Sequence, residues 1–140
     1  MHLFQGKDVL VKARTGSGKT LVYVLPILNQ FFQKSSSRAT GDRTTTVLVL
    51  LPTSELCQQV NSVFETYSDN IVRTSVFTAK GRHAGTVDRS IFNCDILITT
   101  PKSLLSIELL LTDILKNVKT VVFDEADSLV AGEGRGFSPY

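Results

Sequence analysis

Cysteine is scarce in this chain. Only Cys57 and Cys94 occur in 140 residues. They stand far apart, outside any Cys-x-x-Cys or Cys/His cluster, so the sequence gives no support to a zinc site or a disulfide framework and points to a reducing, intracellular compartment. Charge of one sign is lacking too. Fifteen Lys and Arg against 13 Asp and Glu leave a formal net charge of +2, too small for a protein that holds nucleic acid by bulk electrostatics. Any such contact must come from locally placed groups. Apolar runs such as Val47 to Leu51 are of strand length, and the first residues lack the basic-then-apolar pattern of a secretory signal, so no membrane association is expected. No internal repeat is present. What remains is 42% hydrophobic and 20% charged, the composition of one compact domain with a sizeable core.

Five short runs rich in β-branched residues or Leu read as strands: Asp8 to Lys12, Val47 to Leu51, Arg73 to Thr78, Asp95 to Thr99 and Lys119 to Phe123. Four are continuously apolar, as expected of strands covered on both faces by helices, which favours a parallel sheet. Between them lie segments of helical period. Leu21, Val24, Leu25, Leu28 and Phe32 share one face in the first, where Pro26 should introduce a kink. Leu56, Val60, Val63, Phe64 and Tyr67 share one in the second. Alternating strands and helices imply right-handed crossovers and a three-layer α/β domain, with ligand sites at the carboxyl ends of the strands. The polar stretch Lys34 to Thr46 reads as an exposed loop, and Gly132, Gly134 and Gly136 as a second one.

Ala13-Arg14-Thr15-Gly16-Ser17-Gly18-Lys19-Thr20 follows an apolar run and opens an amphipathic helix, the context of a phosphate-binding loop. Gly16 and Gly18 let the backbone approach phosphate and turn N–H groups inward, while the positive end of the following helix favours the anion. Lys19 would reach the β- and γ-phosphates, and the Thr20 hydroxyl would ligate Mg²⁺. The plain alternative is a Gly-rich turn between strand and helix.

Asp124 and Glu125 follow Val121-Val122-Phe123, so two carboxylates emerge at the end of a buried strand. Such a pair suits metal-assisted phosphoryl chemistry: Asp124 would hold Mg²⁺, through water, and Glu125 would orient and deprotonate the attacking water. Its ordinary reading is a helix N-terminus, where carboxylates are favoured in any case.

The phosphate loop and Asp124-Glu125-Ala126-Asp127, in this order, resemble motifs I and II of DEAD-box RNA helicases. Pro52-Thr53-Ser54-Glu55-Leu56 resembles motif Ia and Thr100-Pro101-Lys102-Ser103 motif Ib. The resemblance implies a RecA-like P-loop NTPase domain with a mainly parallel sheet. It also implies ATP and Mg²⁺ as cofactors, and RNA held by its sugar-phosphate backbone without sequence preference, at Pro52, Thr53, Glu55, Thr100, Pro101 and Lys102. Independently of the resemblance, Thr53 and Thr100 suit helix N-caps and Pro101 a first helical position.

The chain departs from the family pattern at several points. Ser54 stands where the family has Arg, and Lys102-Ser103 where it has Gly-Arg. The Gly doublet between Ia and Ib is not recognisable, Lys80-Gly81-Arg82 being a basic loop that stands in its region, with His83 a surface residue beside it. Residues 1–140 are expected to be a partial first RecA-like domain: Gln5 is no counterpart of the adenine-reading Q motif, and Gly136-Phe137 resemble the Gly-Phe that precedes motif III, which is absent together with the second RecA-like domain. Details of motifs I, Ia and Ib are most similar to nucleolar helicases of large-ribosomal-subunit assembly, which implies a nuclear or nucleolar location. The expected parent is an ATP hydrolase that remodels RNA duplexes, the 140-residue chain alone being poorly active. Two other readings are a non-enzymatic remnant that only binds nucleotide or a partner, and a small-molecule kinase, which would leave Asp-Glu-Ala-Asp unexplained.

Overall fold

The computed structural model describes residues 7–12, 18–34, 43–79 and 87–132. Outside them lie Gln5, the loop residues Ala13, Arg14, Thr15, Gly16 and Ser17, residues 35–42, Lys80-Gly81-Arg82 with His83, and Gly134 and Gly136-Phe137.

In chain order the elements are α1 (Lys19–Lys34), β1 (Val47–Leu50), α2 (Ser54–Tyr67), β2 (Thr74–Phe77), a 3₁₀ turn (Arg89–Phe92), β3 (Ile96–Thr99), α3 (Pro101–Leu105), α4 (Glu108–Leu115), β4 (Thr120–Phe123) and α5 (Ala126–Gly132). The strands form one sheet in the order β2-β3-β1-β4, every pair parallel. Because side chains alternate between faces along a strand, a continuously apolar strand needs cover on both sides. Val47, Val49, Ile96 and Ile98 enter a cluster with Val24, Leu28, Val60 and Phe64 from α1 and α2. Leu48, Leu50 and Leu97 turn to the opposite face and meet Ile107 and Ile114. These are the three layers expected, and both central strands are buried along their whole length.

The outer strands differ. β4 alternates between half-buried and exposed, with Val121 45% and Phe123 63% exposed, so the carboxylates after it do not leave a strand covered on both faces. Among the described residues β4 pairs with β1 alone. The strand expected at Asp8 to Lys12 is likewise corrected. Residues 7–12 carry no regular structure and Leu10 is 94% exposed. β-propensity alone does not make a strand; a ladder partner does, and this segment has none in the sheet.

The helix faces are rotated slightly from expectation. On α1 the buried positions include Val24, Ile27, Leu28 and Phe31, an i, i+3, i+4, i+7 series, while Leu25 and Phe32 are 48% and 36% exposed. The helix is continuous through buried Pro26. On α2, Cys57, Val60 and Phe64 are buried and Tyr67 is exposed.

At the end of the expected loop only Thr44 is exposed among residues 43–46. Thr45 is buried, and Arg43 is ion-paired with Asp95, which is completely buried and also accepts from the Arg73 N–H at 2.8 Å. This clasp closes the amino ends of the strands, where two hollows of about 250 and 270 Å³ lie. Neither is lined by any motif residue.

Candidate functional site

All four strands run the same way, with Leu50 level with Thr99 and Phe123, and Phe77 level with Thr99. Their carboxyl ends therefore share one edge of the sheet. Pro52-Thr53, Thr100-Pro101 and Asp124-Glu125 follow directly, and α1 presents its first turn to the same edge. Gly18 opens that helix at φ +81° and its carbonyl accepts from the Leu21 N–H at 3.0 Å. Space beside Gly18 is open, since a Cβ there would touch nothing within 4 Å. The left-handed backbone, rather than crowding, is what calls for glycine.

Lys19 Nζ reaches Glu125 Oε1 at 3.4 Å across 106 residues of sequence, both side chains about a quarter exposed. At that length the contact is a loose ion pair, open to exchange for a ligand's phosphate. Glu125 has φ +51°, an uncommon conformation for a residue with a side chain. Its N–H donates to Asp124 Oδ1 at 2.9 Å, and its carbonyl accepts from Ser128 and Leu129 at 2.9 and 3.1 Å. The turn is thus closed on both sides, and Asp127 sits exposed in the first turn of α5.

The other oxygen of Asp124, Oδ2, accepts from the Tyr23 hydroxyl at 2.7 Å. Burial, with the carboxylate beside it, raises the phenol pKa far above its usual range, and the Thr20 hydroxyl is close enough to act on the same group. Thr20, Tyr23 and Asp124 are thereby brought together. Sequence reasoning missed Tyr23; the signal was its spacing, three residues past Thr20 and four past Lys19, which shares their helix face. Among the described residues no three or more His, Cys, Asp or Glu cluster.

At the motif Ia position, the Thr53 hydroxyl caps α2 by accepting from the Leu56 N–H at 3.3 Å. Pro52 is half-buried, Thr53 and Glu55 are exposed, and Ser54 donates to Glu55 at 3.2 Å. At the motif Ib position, Thr100 caps α3 by accepting from the Ser103 N–H at 3.2 Å, with Pro101 in the first turn. Pro101 and Lys102 are exposed. Ser103 is buried: its hydroxyl accepts from the Ala79 N–H at 2.9 Å and lies 2.8 Å from Thr100 Oγ1. It ties the end of β2 to α3. Thr99 adds a second link, donating to the Phe77 carbonyl at 2.6 Å.

Residues 1–138 match the family model described as DEAD/DEAH box helicase. Among curated proteins, the chain is 38% identical over 131 residues to the ATP-dependent RNA helicase dbp9 of Aspergillus niger, covering 90% of this chain and 21% of the relative. It is 34% identical over 128 residues to the ATP-dependent RNA helicase DBP10 of Candida glabrata, covering 91% and 13%. Among solved structures, the yeast DEAD-box splicing factor Prp28 superposes with a TM-score of 0.67 at 28% identity, over 92% of this chain and 30% of that one. The chain thus spans about a fifth or less of the length of these curated relatives.

Proposed function

The chain belongs to the DEAD/DEAH box helicase family, and from that premise we propose that it is a partial first RecA-like domain whose Lys19, Thr20, Asp124 and Glu125 bind Mg²⁺-ATP and prepare it for hydrolysis. The observation that carries this reading is the meeting of Lys19 and Glu125, 3.4 Å apart from opposite ends of the chain, beside the helix start at Gly18. Thr20 and Asp124 offer oxygen donors at the same point, which fits Mg²⁺, an ion held by few protein oxygens together with waters and substrate phosphates. Thr20 and Asp124 would hold the ion, which would supply Lewis-acid neutralisation of the charge that develops on the phosphates.

The chain's own groups divide the remaining work. N–H groups of Ala13 to Thr20 would cradle the phosphates. Lys19 would leave Glu125 for the more highly charged phosphate, which frees the Glu125 carboxylate. Glu125 would then accept a proton from the attacking water, its aim fixed by the closed left-handed turn. Asp124 would hold the metal through its remaining lone pairs.

Pro52, Thr53, Glu55, Thr100, Pro101 and Lys102 would carry RNA by its backbone, without sequence preference. Exposed helix starts beside Lys102 suit phosphate, and the relatives' names as ATP-dependent RNA helicases support RNA as the polymer. The details of motifs I, Ia and Ib that resemble nucleolar helicases of large-subunit assembly favour an intracellular, nucleolar place for the parent. In the longer parent, a second RecA-like domain would close on ATP and RNA and supply an arginine to the γ-phosphate, a contribution of about 10³- to 10⁵-fold in comparable NTPases. Hydrolysis by the 140-residue chain alone is therefore expected to be slow.

Titration of fluorescent ADP in Mg²⁺ against the chain and its Lys19→Ala variant tests the reading. Lys19→Ala is expected to weaken binding at least about tenfold, the loss of a charge-assisted contact of roughly 1.5–3 kcal/mol. Equal affinities, or no binding by the unsubstituted chain, would reject it.

A further inference from the structure

We propose that Tyr23 is a positioning residue for the carboxylate that would hold Mg²⁺: its hydroxyl, donating to Asp124 Oδ2 at 2.7 Å, fixes the orientation of the Asp124 carboxylate. The inference rests on the nucleotide reading above and adds to it a residue outside the four motifs.

The geometry leaves Asp124 little freedom. Oδ1 is held by the Glu125 N–H at 2.9 Å and Oδ2 by Tyr23. Two donors from different elements, one on α5's leading turn and one on α1, therefore fix the carboxylate at both oxygens. Each oxygen keeps one further lone pair for a metal-bound water or the metal itself. Tyr23 is fixed in its turn. Its ring packs against the apolar cluster on the α1–α2 face and lies 6.5 Å, centroid to centroid, from the Phe64 ring, tilted by 50°; Phe64 is completely buried. A phenol anchored this way does not follow the carboxylate; the carboxylate follows it. Groups that orient a ligating carboxylate typically change metal affinity by about 10- to 100-fold when removed. A carboxylate acting through water belongs at the low end of that range.

A competing reading is that the bond merely ties α1 to the end of β4. Tyr23→Phe separates the two, because it keeps the ring and removes the donor. The measurement is ADP affinity of the 140-residue chain at a series of Mg²⁺ concentrations and in excess chelator. In each protein the ratio of affinities with and without Mg²⁺ is internal, so an overall loss of stability cancels. The proposal expects metal-free ADP affinity within about twofold of the parent, and a Mg²⁺ midpoint raised about tenfold. An unchanged midpoint overturns it, as does a loss of ADP affinity that is equal with and without Mg²⁺. If the parent chain binds ADP with no response to Mg²⁺, or does not bind it, the nucleotide reading falls along with this one. A parent that responds to Mg²⁺ while the variant matches it removes Tyr23 alone.

Discussion

Glu125 holds a left-handed backbone, φ +51°, at a cost of roughly 1–3 kcal/mol relative to an unstrained residue. The same conformation at Asp69 and Asn70 lies in an exposed turn after α2, where short polar side chains tolerate it. At Glu125 it sits between a strand end and a helix start, with the carboxylate facing Lys19, where the proposed hydrolysis would use it. The two thiols behave oppositely. Cys57 and Cys94 are buried, and burial pushes each up from 9.0 to about 11. A raised folded-state pKa means that the folded chain holds the proton more tightly than the unfolded one. That contribution to stability is complete below pH 9 and is lost as the pH rises toward 11. Urea midpoints measured from pH 8 to 11 should fall across that window, and fall less in a Cys57→Ala/Cys94→Ala variant; parallel curves would show that the thiols do not drive the loss. Lys19, Thr20, Asp124 and Glu125, the proposed nucleotide site, could be named from the sequence because phosphate chemistry demands fixed residue types at fixed spacing, and the structure brings Lys19 to Glu125. Tyr23 was not, because an aromatic on an amphipathic helix reads first as core, and in part it is.

Elements place those residues, and here Ser103 matters most. It stands where the family has Arg, so comparison alone presents it as a loss. In the structure it accepts from the Ala79 N–H and pairs with Thr100, holding β2, the start of α3 and the motif Ib cap in one network. Ser103→Ala would leave the Ala79 donor without that acceptor and should lower stability by about 1–3 kcal/mol. Thr53→Ala, which removes only an exposed cap, should cost about 1 kcal/mol. Denaturant unfolding of the two variants orders them; a Ser103→Ala cost no greater than that of Thr53→Ala would mean that the network is not coupled. β1 to β4 were readable to within a residue or two, since short β-branched or Leu-rich runs between helical segments, continuously apolar in β1, β3 and β4, leave few alternatives. The segment from Asp8 to Lys12 has the same composition, yet a strand is a property of a pair. α4 was hard to read because its apolar residues do not follow burial: Leu109 is 97% exposed while Ile114 is buried.

The whole molecule separates two ends of one parallel sheet. At the amino ends, the Arg43–Asp95 pair and its hydrogen bonds hold the layers together. At the carboxyl ends, the motif residues meet. This polarity follows from the topology: parallel strands joined through helices return every loop of one kind to one edge. It explains why motifs scattered from Gly18 to Glu125 form one surface, and why the two hollows at the opposite end contain none of them. On β4, Val121 and Phe123 meet solvent among the described residues. The central claim is that nucleotide binds where the strand ends converge. Amide hydrogen exchange with and without Mg²⁺-ADP tests it most directly: the account predicts added protection at residues 18–23 and 124–129, and none at 43–46 or 113–119. Protection confined to the amino-end residues, or no change at the strand ends under saturating nucleotide, would contradict it.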